Sequence, residues 1–318
     1  MLNCVPSTIY TVTLNPALDE SISVESLAVG AVNRCRFHAL DPGGKGINAS
    51  RVIKRLGRQT LAFGFVGGVS GGFLASARDA ERVPYAFDTV EGFTRVNVML
   101  YESRSAQRTR LYLPGPQVSA KDFDALRSRL DVVRRGDIVV LGGSIPPGLP
   151  ASTYADLARD LHERGARCIV DTSGEALALV LQTKPLLVKP NVEEAQELLG
   201  RRLQTESAII EAAFELRRRG AQYVVISRGD AGAIGAGPLG AYAVLPASVQ
   251  GTSAVGAGDS MTAGMAIAFD EGELFEDALR LGAACGTATS MTTGTKLCSI
   301  DDVSRLLDRV RVESLSVA

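Results

Sequence analysis

Residues 255–260 read Val255-Gly256-Ala257-Gly258-Asp259-Ser260, and an apolar stretch of small residues with helical character follows at once. Glycines that lead into a helix turn backbone N–H groups toward an anion, and an aspartate among them can accept a proton. Those are the groups needed to move a phosphoryl group onto a hydroxyl. An aspartate at a helix start also serves as a plain N-cap that satisfies orphan amides and offsets the dipole. The rest of the chain has to decide between the two.

Outward from that motif, strands alternate with helices. Residues 8–14, 61–66, 137–141, 168–171, 186–188 and 223–227 are β-branched or apolar runs that read as strands. Residues 48–56, 154–164, 192–199 and 206–219 carry helical spacing, the last three closed by Gly165, Gly200 and Gly220. Near-continuous apolar strands between helices predict an α/β fold, a Rossmann-type parallel sheet covered on both faces. Ligands of such sheets bind beyond the carboxyl ends of the strands, where Ser144, Asn191 and Ser227-Arg228-Gly229 fall. Two segments break the alternation. Residues 18–37 and 93–113 are alternating and polar-faced with no helix between their halves, which predicts a small antiparallel layer at the mouth of the sheet. A lid is the natural reading, built from about 15–40 and 93–115, because phosphoryl transfer needs water excluded. With no low-complexity linker and no repeat, residues 1–318 read as one folding unit.

Composition narrows the partners. A net charge of −1 gives no electrostatic support for nucleic acid. Hydrophobic content of 46% and charged content of 22% are ordinary for a globular enzyme. Cys4, Cys35, Cys168, Cys285 and Cys298 are scattered without a CxxC pair, which suits reduced thiols in a cytosol. His38 and His162 are too far apart for a histidine metal site. No run approaches a membrane span and the N-terminus lacks a targeting pattern, so a cytoplasmic location is expected.

Each remaining motif has a plain alternative. Gly43-Gly44-Lys45-Gly46-Ile47-Asn48 opens a helix, yet is no P-loop, since no Ser or Thr follows the lysine. It is either a tight turn or a backbone cradle for substrate hydroxyls, with Asn48 donating. Asn191-Val192-Glu193-Glu194 fits a capping box, or else Glu194 orders water around Mg²⁺. Gly235-Ala236-Gly237-Pro238-Leu239-Gly240 matches GxGxxG, but strand-like residues follow it, so a turn between strands is expected rather than a dinucleotide site. Asp19 and Arg95 lie in the lid segments, and Arg95 matters if the substrate carries a phosphate.

Taken in order, these pieces resemble the ribokinase/PfkB family of carbohydrate kinases. The matching residues are the PGGKGIN run at 42–48, Lys189-Pro190-Asn191-x-x-Glu194 and the VGAGDS run at 255–260. The TLNPALD run at 13–19 and the GGSIPPG run at 142–148 are similar to the branch that phosphorylates sugar phosphates, chiefly its 6-phosphofructokinases. Lys45 departs toward 1-phosphofructokinases and tagatose-6-phosphate kinases. The resemblance implies ATP-dependent conversion of fructose 6-phosphate to fructose 1,6-bisphosphate. Asp259 is then the base, with Gly256, Ala257 and Gly258 as an anion hole. It implies that Asp19, Gly43, Gly44, Lys45, Asn48, Arg95, Ser144 and Arg34 meet the sugar phosphate. Lys189, Asn191, Ser227, Gly229 and Gly232 would line the nucleotide side, and Glu194 would act on Mg²⁺ through water. It further implies a homodimer formed through the lid, and a monovalent cation such as K⁺ near Ser253, Val255 and Gly294. A kinase of an unphosphorylated sugar or nucleoside, and a non-catalytic sugar-phosphate sensor, are the rival readings.

Overall fold

Thr8–Thr13 forms β1, the first strand of the computed structural model, which describes residues 7–249, 251 and 255–315. Its run of Thr, Ile and Val suits a pleated, buried strand. The chain then leaves for a hairpin, β2 (Ala17–Val24) and β3 (Arg36–Gly43), and returns through α1 (Lys45–Arg55) to β4 (Gln59–Val66). Next, α2 (Gly68–Glu81) leads to β5 (Tyr85–Thr89), and a second excursion forms β6 (Arg95–Glu102) and β7 (Arg108–Leu111). After α3 (Ala120–Arg129) the alternation is regular, with β8 (Ile138–Gly142), α4 (Thr153–Glu163), β9 (Arg167–Asp171), α5 (Gly174–Leu181) and β10 (Leu187–Val188). Then come α6 (Val192–Leu199), α7 (Glu206–Arg218), β11 (Tyr223–Ser227) and the hairpin of β12 (Ala233–Gly237) and β13 (Gly240–Leu245). The chain closes with α8 (Ala257–Asp270), α9 (Phe275–Ser290), α10 (Ile300–Leu307) and β14 (Arg311–Leu315).

The large sheet runs β14-β13-β12-β11-β10-β9-β8-β1-β4-β5. It is parallel from β5 to β11 and antiparallel across the last three strands. From β1 the chain fills one side with β4 and β5, then crosses to β8 and fills the other. Strand order therefore reverses between β1 and β8, the crevice where such sheets bind ligands. Alternate residues feed two cores: Ile138 and Val140 pack toward α1, α8 and α9, while Val139 and Leu141 pack toward α4. The GxGxxG run is the turn between β12 and β13, as its strand-like sequel indicated. Among the described residues no helix is long and apolar enough to cross a membrane.

A second sheet, β3-β2-β6-β7, comes from the two excursions. Its hairpins are antiparallel as expected, but β2 and β6 pair in parallel, Ala17 opposite Arg95 and Asp19 opposite Asn97. The reason is topological. β2 leaves beyond the carboxyl end of β1 and β6 beyond that of β5, and β1 and β5 point the same way, so both excursions start from one end of the large sheet.

Helices α8 and α9 approach almost backbone to backbone. A Cβ on Gly264 would stand 2.8 Å from the Leu281 carbonyl oxygen and 2.9 Å from Cys285 Sγ. Gly264→Ala should therefore destabilise the chain by about 1–3 kcal/mol in a urea titration, through overpacking rather than helix propensity. An unchanged or raised midpoint would mean that the helices separate at no cost.

Candidate active site

Asp259 is the third residue of α8, and it does not cap that helix. The N-cap is Gly256, with φ of 76° and no side-chain cap bond. That left-handed turn brings Gly256 within reach of Leu297, where a Cβ would be 2.6 Å from Leu297 Cδ2. The Asp259 carboxylate instead crosses to α1, accepting a 2.8 Å hydrogen bond from Asn48 Nδ2. Arg51, one turn further along α1, donates to Asn48 Oδ1 at 3.1 Å and fixes which end of the amide faces the acid. Burial pushes the Asp259 pKa up to about 6; the Asp171 charge adds to this, and the Asn48 bond opposes it.

Asp171 ends β9 and is 1% exposed. Its Oδ2 meets Lys189 Nζ at 2.9 Å and accepts from Thr262 Oγ1 at 3.3 Å; its Oδ1 meets Lys45 Nζ at 2.5 Å. Burial alone would raise its pKa, but Lys189 and Lys45 outweigh it and hold the carboxyl at about 2. Lys45 also stands 3.7 Å from Glu194 Oε1. For Lys45, burial works against the charge, but Asp171 and Glu194 raise its pKa above the usual lysine value. Glu194 serves two ends at once: Oε2 accepts from the Asn191 amide at 2.9 Å, and its own amide donates to Asn191 Oδ1 at 2.8 Å. The capping box is real, and its free oxygen points at a lysine.

A second cluster sits where β1 gives way to β2, at the crevice between β1 and β8. Asn15 Nδ2 donates to Ser144 Oγ at 3.2 Å and to the Pro114 carbonyl at 2.9 Å. Arg95 donates to the Asn15 carbonyl at 2.9 Å and the Leu113 carbonyl at 3.1 Å. Two residues along, Asn97 donates to Asp19 Oδ1 at 2.9 Å, on the same face because strand side chains repeat every second residue. Asp19 is buried, which raises its pKa, with the Asn97 bond opposing. Its carboxylate lies on the glycine loop: a Cβ on Gly43 would be 2.2 Å from Asp19 Oδ2, and Gly44 has φ of 122°. Asn15 Oδ1, Asn97 Oδ1 and Arg95 Nε are buried without a hydrogen-bond partner among the described residues. Buried polar atoms are rarely left so, and these three stand in one cluster with hydrogen-bonding capacity to spare.

On the far side of the lysines, Ser227 ends β11 and bridges to Asn191. Gly229 and Gly232 shape the tight turn into β12, and a Cβ on Gly232 would fall 2.0 Å from the Val244 carbonyl oxygen. A cavity of about 520 Å³ opens between the small sheet and the 293–296 loop, lined in part by Val255 and Gly294; Ser253 lies outside the described residues.

The predicted residues thus fall into three adjoining groups. Lys45 sits with Lys189, Glu194 and Asp259 rather than with Arg95 and Ser144. Arg34 joins none of the groups and is exposed between β2 and β3. Sequence reasoning passed over Asp171, Asn15, Asn97 and Thr262. For Asp171 a signal existed, since a lone acid closing an apolar strand stands at the carboxyl edge where ligands bind. Among the described residues no three His, Cys, Asp or Glu side chains are grouped to hold a metal. Asp171 and Glu194 fit instead the one or two carboxylates that a hydrated Mg²⁺ uses when substrate phosphates supply the rest.

A parallel sheet with a switch-point crevice, an acid at a glycine-led helix start and a polar second sheet over it define a sugar-kinase architecture. Residues 12–302 match the pfkB family carbohydrate kinases, and the chain belongs to that family. It is 37% identical to a 1-phosphofructokinase of Bacillus subtilis, over 96% of this chain and 100% of that one. It is 36% identical to the ATP-dependent 6-phosphofructokinase isozyme 2 of Escherichia coli, over 94% and 97%. The crystal structure of Escherichia coli phosphofructokinase-2 in complex with potassium superposes with a TM-score of 0.90 at 35% identity, over 95% of this chain and 98% of that one. The protein is a sugar-phosphate kinase of the PfkB type.

Two outcomes follow for Asp259. An ionised carboxylate in that site costs the fold about 3 kcal/mol at pH 7, present above pH 6 and relieved as pH falls from about 6 toward 3.8. Asp259→Asn should therefore raise the thermal midpoint at pH 7, and do so less at pH 5, as calorimetry can measure. A lowered midpoint at pH 7 would contradict the burial cost. Asn48→Ala removes the bond that favours the charged acid, so the acid limb of kcat/KM should move to higher pH. A limb that stays in place would belong to the substrate phosphate instead.

Proposed function

We propose that the chain transfers the γ-phosphoryl group of ATP to the free primary hydroxyl of a ketohexose phosphate, with fructose 6-phosphate as substrate and fructose 1,6-bisphosphate as product. The observation that carries this reading is Asp259, an acid poised near neutrality at the start of α8 and engaged with α1 rather than spent on capping. A base works best with a pKa near the working pH. Asp259 takes the hydroxyl proton as the oxygen attacks. The amides of Gly256, Ala257 and Gly258 stabilise charge on the transferring group, as positioning and electrostatics dominate this chemistry.

Asp19, Gly43, Gly44 and Asn48 bind sugar hydroxyls, and Arg95 with Ser144 takes the substrate phosphate. The partnerless Asn15, Asn97 and Arg95 atoms support a polyhydroxylated ligand there. Lys189, Asn191, Ser227, Gly229 and Gly232 line the nucleotide side. A magnesium ion, when bound, neutralises phosphate oxygens and lies toward Glu194 and Asp171. The small sheet acts as the lid of a single kinase unit. Exposed Val29 (93%) and Val32 (92%) in the loop between β2 and β3, with Phe37 (62%) on β3, support pairing with a second copy, across which Arg34 would reach the phosphate. The potassium named for the Escherichia coli structure supports a monovalent-cation site beside Val255 and Gly294. Cytoplasmic location completes the reading.

A fructose 1-phosphate substrate is the second reading, favoured by the Bacillus relative. The two sugars present a phosphate at one end and a primary hydroxyl at the other, so both fit the same division of the crevice. ADP release with Mg²⁺-ATP, comparing kcat/KM for fructose 6-phosphate, fructose 1-phosphate and tagatose 6-phosphate, decides between them. A preference for fructose 6-phosphate of roughly tenfold or more is expected, equivalent to about 1.4 kcal/mol. The reverse preference makes the chain a 1-phosphofructokinase. Arg95→Ala should raise the sugar-phosphate KM and spare that of ATP; the opposite pattern removes Arg95 from the phosphate.

A further inference from the structure

Lys45 is the residue on which the resemblances diverge, and its placement gives it a task that substrate choice does not require. Its ammonium stands between two carboxylates, 2.5 Å from Asp171 Oδ1 and 3.7 Å from Glu194 Oε1. Neither carboxylate depends on Lys45 for its position. Asp171 keeps Lys189 at 2.9 Å and Thr262 at 3.3 Å, and Glu194 is pinned by its bond from the Asn191 amide at 2.9 Å. The two lysines also differ in freedom: the Lys189 side chain is 5% exposed and the Lys45 side chain 33%. Lys45 therefore has a solvent-facing side that Lys189 lacks.

One positive charge thus stands between two acids that other contacts also hold. We propose that Lys45 is an internal counter-cation that holds the place of the divalent metal between Asp171 and Glu194, so that metal binding and the Lys45 contacts exclude each other. The proposal rests on the kinase reading above for the identity of the cation. It assigns Lys45 to the phosphoryl-transfer side of the crevice, and it makes the lysine indifferent to which ketohexose phosphate is bound. In the absence of nucleotide Lys45 neutralises the acids and suppresses metal binding. Metal carried in by nucleotide phosphates brings extra ligands and displaces it, since Mg²⁺ prefers such shared coordination.

The test is a Mn²⁺ titration of the nucleotide-free full chain, followed by electron paramagnetic resonance of the free ion. Lys45→Met should bind Mn²⁺ at least tenfold more tightly than the unaltered chain, and adding Glu194→Gln should erase the gain. Lys45→Gln, which keeps a hydrogen bond to Asp171, should show the same direction if the methionine variant folds poorly. Mn²⁺ should also raise the thermal midpoint of Lys45→Met more than that of the unaltered chain, because a ligand stabilises the state that binds it. Equal Mn²⁺ affinity in the unaltered chain and in the folded variants overturns the proposal. So does a tenfold change in the fructose 6-phosphate to fructose 1-phosphate ratio of kcat/KM on replacing Lys45, which would place the ammonium on the sugar phosphate. If no ketohexose phosphate releases ADP, the substrate reading fails, while the Mn²⁺ contrast still decides for or against the role of Lys45.

Discussion

A fully buried carboxylate, Asp171, holds the catalytic end of this fold in register. It stands at the end of β9 and is reached by Lys45 from α1, Lys189 from the turn after β10 and Thr262 from α8. A lone charge at that depth is costly, and removing one partner of a buried ionic pair costs about 3–5 kcal/mol. Lys189 and Thr262, which stay on Asp171 when Lys45 moves, thereby keep the turn after β10 and the start of α8 against the end of β9. Asn48 lies one turn beyond Lys45 on the same helix, and Asp259 one turn before Thr262. Burial is the main cause of the raised Asp259 pKa, and the Asp171 charge adds to it.

Much of the large sheet was legible because its strands are apolar throughout and its helices end on glycines. Residues 192–199 and 223–227 have their observed bounds and the other predicted core elements except α1 lie within two residues of theirs, whereas α3, α5, α9 and α10 carry no sequence prediction. Helix α1 begins at Lys45, earlier than its spacing suggested, because Gly46 belongs to its first turn. A Cβ there would be 2.6 Å from Thr13 Oγ1, so the helix packs against β1 by contact that hydropathy does not encode. Helix α2 was missed for a related reason: Gly68, Gly71 and Gly72 depress its propensity, and packing rather than pattern makes it helical. Strand β14 carries Arg311 and Glu313 on an exposed sheet edge, a composition that blunts edge pairing and hides the strand.

The site was legible where a motif packs several groups into one short run, as at 43–48, 189–194 and 255–260. It was illegible where the groups come singly from distant strands. Asn97 and Asp19 meet only because β2 and β6 pair in parallel, and that pairing was not visible from two segments whose local pattern indicated hairpins. Asn15 faced the same difficulty, since its partners Ser144 and Pro114 belong to separate loops. Lys45 lies in the glycine loop that the sequence singles out, and its ammonium meets Asp171 and Glu194 rather than Arg95 or Ser144. A lysine in a glycine loop has reach enough for either side of the crevice, and only the position of Asp171 decides which.

The parallel pairing at the centre of the small sheet also bears on how the molecule is made. Asp19 and Asn97 are 78 residues apart, and the chain between them contains α1, β4, α2 and β5. Contacts of that separation form late, because the loop entropy must be paid before they return anything. The hairpins can each form early, but their joining waits until the first third of the large sheet is in place. A nascent chain therefore completes its Asp259 end and its Asp19 end by different routes. The Asn48–Asp259 contact spans 211 residues and closes later than the joining of β2 and β6, so a half-folded molecule has no complete crevice.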